Sequence, residues 1–241
     1  MTGKTFKVLS ALLSYPTADL QGAADELRAS LEAEAIVPQG LQGPLDLLID
    51  ELATGDLLDL EERYVLLFDR TRSLSLQLFE HVHGESRDRG QAMVDLKAVY
   101  EKHGLAIGTS DLPDFVPMFL EFLSTLPREE ALELLAQPAH IFAALAERLH
   151  KRQSSYEAVF RVLVALAAAP KAEAVAALLA EADADAMDLA ALDAAWEEEP
   201  VTFGQEAGNN CKDELVARIR AARRPAPGVT MAPTKRAPAR P

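Results

Sequence analysis

The chain has 241 residues, 49% of them hydrophobic and only 6% aromatic; this is enough apolar material for a substantial core, and its Ala- and Leu-rich composition suits packed helices better than sheets. A formal net charge of −14 repels nucleic-acid phosphates and anionic lipid headgroups and favours a cationic partner, plain solubility being the simpler reading of the same charge. Cys211 is the single cysteine, which excludes an intramolecular disulfide and a multi-thiolate metal site within one chain.

The opening stretch MTGKTFKVLSALLSYP places Phe6, Leu9, Leu12 and Leu13 on one face, while Lys7, Ser10 and Ser14 interrupt its apolar run. That pattern predicts an amphipathic first helix and not a signal peptide. No apolar segment approaches the length needed to span a bilayer, so a soluble, cytoplasmic protein without stable membrane insertion is expected. Pro16 with Thr17 ends the first helix and caps the second, and Pro38 to Pro44 reads as a loop. Leu57, Leu60, Tyr64, Leu67, Phe68, Leu74, Leu78 and Val82 fall at three- and four-residue steps, which predicts one long helix or two stacked ones. Gly84 breaks that run, and Asp88 is placed to cap the next helix, through Met93, Leu96 and Tyr100 toward Gly104.

Gly108 to Pro113 is a connecting loop, after which Phe115, Met118, Phe119, Phe122, Leu123 and Leu126 repeat the helical spacing. Tyr156, Val159, Phe160, Leu163 and Val164 do so again, and Pro127, Pro138 and Pro170 sit near helix starts, where a missing N–H is tolerated. No strand-like alternation or hairpin signal interrupts the series. The expectation is an all-α, single-domain helical bundle over residues 1–205. Ala182 to Glu199 is acidic and Ala-rich, residues 206–224 are predicted as a C-terminal helix, and residues 225–241, with five prolines and no acid, are read as a disordered tail.

The densest polar constellation is FEHVHGESRDRGQAM, Phe79 to Met93. His81, His83, Glu85 and Asp88 are four potential metal ligands within eight residues, the basis for one alternative reading as a metal-dependent hydrolase. Helical geometry opposes it, because residues two apart diverge by about 200° around a helix, and the four-residue histidine spacing of HExxH is missing. A helix end accounts for the same residues: histidines favour the C-terminal dipole, and the charges beyond Gly84 pair or cap. No GxSxG, GxGxxG or GxxxxGK[ST] stretch occurs. Neither catalytic residues nor a metal or cofactor is assigned. What remains is surface recognition, in which an acidic helical bundle takes an amphipathic basic peptide helix.

The stretch YVLLFDRTRSLSLQLFEHVHGESRDRGQAMVDL, Tyr64 to Leu96, resembles the signature block of the NarJ-type chaperones. DLPDFVPMFLEFL, Asp111 to Leu123, is similar to that family's second block, with LLSYP and WEEEPVTF as weaker flanking matches. NarJ-type proteins belong to the wider TorD-like group of all-helical chaperones for molybdenum enzymes. The resemblance therefore implies a TorD-like bundle of about eight to ten helices and a private chaperone without catalytic activity. It would bind the N-terminal segment of the catalytic, molybdenum-bearing subunit of respiratory nitrate reductase, keeping it competent for molybdenum cofactor and iron–sulfur insertion before membrane docking. Cofactor-delivery proteins are further expected partners, and a chaperone for a dimethyl sulfoxide or trimethylamine oxide reductase is the alternative within the class.

On that resemblance Asp69, Arg70, His83, Glu85, Arg87 and Asp88 are candidates for a client-facing polar rim. Pairing of Arg70 and Arg87 with these acids to lock helices together accounts for them equally well. TorD-like relatives commonly carry Asp-His where this chain has Pro113-Asp114-Phe115, so a histidine-dependent nucleotide site does not carry over. Pro113, Asp114, Phe115 and Phe119 are kept as client-binding or hinge candidates. For Asp114 the competing reading is a cap on the helix starting at Phe115.

Overall fold

The computed structural model describes residues 3–83, 86–108, 112–181 and Asp183. Glu85, the acidic segment beyond Asp183, Cys211, the predicted helix 206–224 and the tail 225–241 lie outside the described residues. Twelve α-helices run through them: α1 Lys4–Leu12, α2 Ala18–Gly22, α3 Ala24–Glu34, α4 Gln39–Thr54, α5 Leu57–Phe68, α6 Leu78–His83, α7 Arg87–Lys102, α8 Val116–Ser124, α9 Arg128–Leu135, α10 Ala139–Lys151, α11 Glu157–Leu166 and α12 Ala172–Leu179. The excess over the expected eight to ten comes from short pieces such as α2 and α6, which periodicity alone merges into their neighbours. The described residues form no strand.

The core is built where apolar faces meet. α10 and α11 pack most extensively, burying Ile141, Phe142, Leu145 and Leu149 against Val159, Phe160 and Leu163. α1 lies against α8, with Phe6, Leu9, Leu12 and Leu13 all buried as their spacing predicts. Here the Ser10 hydroxyl donates to the Pro117 carbonyl at 2.7 Å. Glu34 closes the start of α1, its two carboxylate oxygens accepting from the Gly3 and Thr5 N–H groups. Gly3 has φ 132°, and a Cβ there would fall 2.0 Å from the Ser124 carbonyl oxygen, so this close approach of α1 to the end of α8 requires glycine.

Thr17 caps α2, its side chain accepting from Leu20 N–H, as the sequence indicates. Two local expectations change and one open alternative is settled. Pro38 to Pro44 is not a loop: Pro38 precedes α4 and Pro44 lies inside it, forgoing the N–H bond to the Gly40 carbonyl. The run from Leu57 to Val82 is two helices, separated by a 3₁₀ turn over Arg72–Leu74. Ser86, not Asp88, precedes α7, and Asp88 sits exposed in its first turn, where a carboxylate favours the dipole.

The segment between α5 and α6 is fastened from two sides. Its Leu76 carbonyl accepts from Val116 N–H at 2.9 Å, Leu78 N–H donates to the Asp114 carbonyl at 3.0 Å, and Gln77 opposes Phe115 in a single antiparallel bridge. From α10, the buried Arg148 reaches the Ser73 carbonyl at 2.7 Å and also donates to the Leu178 carbonyl at the end of α12. Asp183 completes this fastening, accepting from the Ser73 hydroxyl at 2.9 Å and from Arg152 at 2.6 Å.

Candidate functional site

α5 positions the most conspicuous exposed surface. Asp56 caps it, accepting from Leu58 and Asp59 N–H, which fixes the phase of the helix. Leu60, Tyr64 and Phe68 then point inward, where the Tyr64 hydroxyl donates to the Leu13 carbonyl at 2.8 Å and the rings of Phe68 and Tyr156 meet edge-on at 5.1 Å. Leu58, two residues before Leu60, is thereby turned outward and is 74% exposed. It lines an open groove of about 420 Å³ with Tyr15, Val65, Leu66, Glu61, Glu62 and Arg70. Tyr15 is itself 45% exposed, and desolvation together with the adjacent Glu61 carboxylate pushes its phenol up from the ordinary value. The groove therefore combines apolar side chains with two carboxylates, Glu61 and Glu62, and one cation, Arg70.

A second, more polar groove of about 190 Å³ lies on the other side of the Asp69–Arg70 corner, among Phe68, Asp69, Ser75, Gln77, Glu80 and Arg89. Desolvation pushes the Asp69 carboxyl up, and Asp69 makes no ion pair among the described residues. Arg72 and Arg89 line the same groove. Arg89 and Glu80 pair at 3.1 Å and tie α7 to α6. The sequence did not single out this pair, because it bridges nine residues across the Gly84 break.

The remaining candidates divide. Asp69 and Arg70 are exposed beside both grooves, and Asp88 is exposed on α7. Arg87 opens α7. His83, at the end of α6, meets the Phe79 ring edge-on at 5.8 Å, whereas the buried His81 ring uses Nε2 on the Ser75 carbonyl at 2.8 Å. Burial holds His81 below its ordinary pKa, so it donates there as a neutral imidazole. The two rings are thus committed to different neighbours, and no group of three His, Cys, Asp or Glu among the described residues converges as metal ligands.

Pro113, Asp114, Phe115 and Phe119 belong to the scaffold behind the second groove. The Pro113 carbonyl accepts from the Tyr100 hydroxyl at 2.7 Å, and Phe119 is buried. Asp114 is wholly buried and does not cap α8, which begins after Phe115 without a side-chain cap. Its Oδ2 accepts instead from Phe79 N–H at 2.9 Å, capping α6 from a distant part of the chain. Oδ1 is buried and has no hydrogen-bond partner among the described residues. Burial pushes the Asp114 carboxyl up, against the lowering by Phe79 N–H and by the Arg89 charge. Asp114 presents no surface to a client while α6 is docked.

This helical arrangement is shared with a solved chain from Archaeoglobus fulgidus described as a redox enzyme maturation protein, with a TM-score of 0.51 and 21% identity over 68% of this chain and 93% of that one. The two chains therefore share an all-helical fold. Residues 19–161 match the model of the nitrate reductase delta subunit family. The nitrate reductase molybdenum cofactor assembly chaperone NarJ of Escherichia coli K12 is 44% identical over 210 residues, covering 87% of this chain and 88% of that protein. NarW of the same organism is 39% identical over 208 residues, covering 85% and 86%. The chain belongs to the nitrate reductase delta subunit family.

Proposed function

We propose that this chain is an assembly chaperone that binds the N-terminal segment of the catalytic subunit of nitrate reductase. It keeps that subunit competent for molybdenum cofactor and iron–sulfur insertion before membrane docking, and it acts in the cytoplasm. The relatives' names supply the client, and the α5 groove supplies the chemistry. Exposed Leu58 and Tyr15 accept the apolar face of an amphipathic helix, while Glu61, Glu62 and Asp69 meet its basic residues. Each apolar anchor fully buried there contributes about 1.5–3 kcal/mol; the carboxylates set register and speed association more than they add affinity.

The test is calorimetry with a synthetic peptide of the N-terminal residues of the cognate nitrate reductase catalytic subunit. Binding at micromolar concentration is expected. Asp69→Lys or Leu58→Asp should weaken it roughly tenfold or more, a loss of about 1.4 kcal/mol, with helical circular dichroism unchanged. No heat at high micromolar peptide, or normal binding by both variants, would refute the reading.

A further inference from the structure

The α5 groove sets exposed apolar side chains beside Glu61 and Glu62, two carboxylates against the single cation Arg70, and the same chain carries a segment of complementary chemistry. Residues 215–241 contain seven basic residues, Arg218, Arg220, Arg223, Arg224, Lys235, Arg236 and Arg240, and no acid. Residues 1–214 consequently hold a formal charge of −21 against −14 for the whole chain. Charge separation this sharp along one chain draws the two parts together. Within LVARIRAARR, Leu215, Ile219 and Ala222 recur at steps of four and three, the spacing of one helix face, with arginines on its flanks. This is the pattern of a basic amphipathic peptide, the class of ligand that the groove fits.

We propose that the 215–224 segment of this chain occupies the α5 groove as an internal competitor, with Leu215 and Ile219 against Leu58 and Tyr15 and its arginines facing Glu61 and Glu62. The proposal rests on the groove reading above. Topology makes it feasible: Asp183 bonds to Ser73, three residues beyond Arg70 of the groove. Thirty-one residues separate Asp183 from Leu215, a maximal reach on the order of 100 Å. Tethering at this range gives an effective concentration on the order of 1 mM, so a segment whose free-peptide affinity is on the order of 100 µM is bound about ten times as often as it is released. A client must then displace it, which restricts the groove to ligands that bind better than the chain's own segment.

The experiment uses the full chain and a full-chain variant carrying Arg218→Gln, Arg220→Gln, Arg223→Gln and Arg224→Gln, with a fluorescein-labelled peptide of residues 212–226 as probe. Fluorescence anisotropy should show the probe binding the variant about tenfold more tightly than the unaltered chain. Adding Leu58→Asp should remove that gain, and a scrambled peptide of equal composition should bind neither protein. Carbodiimide coupling should join Lys212 to Glu61 or Glu62 within one chain in the unaltered protein. Equal probe affinity for both proteins, a gain insensitive to Leu58→Asp, equal binding of the scrambled peptide, or cross-links found only between two chains would each overturn the proposal. If the probe fails everywhere while the client peptide binds, the internal competitor is wrong and the client reading stands. If the probe behaves as expected while the client peptide gives no heat, the reverse holds.

Discussion

Asp114 offers the sharpest test of the architecture behind the site, because its carboxylate combines a favourable hydrogen bond with an unfavourable buried charge. Asp114→Ala removes the acceptor at Phe79 N–H and leaves a buried donor unsatisfied, a loss of about 2 kcal/mol. For a chain of this size that corresponds to a fall in melting temperature of roughly 4–8 °C. Asp114→Asn keeps an acceptor at the same place and removes the charge, so it should lie within about 1 kcal/mol of the unaltered protein at neutral pH. The two proteins should also differ in pH response. Burial raises the folded-state pKa of Asp114 above the ordinary 3.8, so between the two values the folded state binds a proton that the unfolded state does not. The stability of the unaltered chain, relative to Asp114→Asn, should therefore increase as pH falls through the raised folded value and level off below the ordinary one. Urea melts of the three proteins across that range measure both effects. An Asn variant as unstable as the Ala variant, with a gap indifferent to pH, would refute the account.

Two other perturbations address the scaffold. Arg148→Met should destabilise by about 2 kcal/mol, since it strips the Ser73 carbonyl of its donor and leaves the Leu178 carbonyl only the Glu181 N–H at 3.3 Å; an unchanged urea midpoint would show that water or another side chain replaces it. Glu34→Gln should lose a smaller amount, under about 1 kcal/mol because the site is largely solvated. Partial burial raises the Glu34 pKa, but the Gly3 and Thr5 N–H groups outweigh it and hold the group below its ordinary value. Its contribution is thus complete above the unfolded carboxylate pKa and lost as pH falls through the lower folded one. Acid melts of the two proteins should converge, and a deficit that persists at low pH would contradict the assignment.

What could be read ahead of the structure was local. The face of α1, the Thr17 cap and the breaks at Pro127 and Pro138 each depend on neighbours within a turn or two, and each is found. The division of α5 from α6 was ambiguous because Leu74, Leu78 and Val82 keep a four-residue spacing by coincidence. Leu74 is buried from the 3₁₀ turn, whereas Leu78 and Val82 are buried from α6. The cap reading of Asp114 failed because a carboxylate just ahead of a helix caps that helix by default, and nothing in its own segment shows that Phe79 N–H lies within its reach. Arg148 carried no signal at all, as an arginine near a helix C-terminus ordinarily stays in solvent. At the candidate site, Asp69 and Arg70 were legible as charges beside a signature block, but the outward turn of Leu58 follows from the phase of α5 and so needed coordinates.

The hydrogen bond between the Tyr100 hydroxyl and the Pro113 carbonyl has a practical bearing beyond stability. It ties the last turns of α7 to the residues just ahead of α8, bracketing the connection between them. Residues 103, 104, 106 and 108 along it are exposed, and since no residue of the connection lines the α5 groove, a foreign module carried there would leave that groove uncovered. The fold thus contains a built-in mounting point, from which a reporter could follow occupancy of the α5 groove without touching the groove itself.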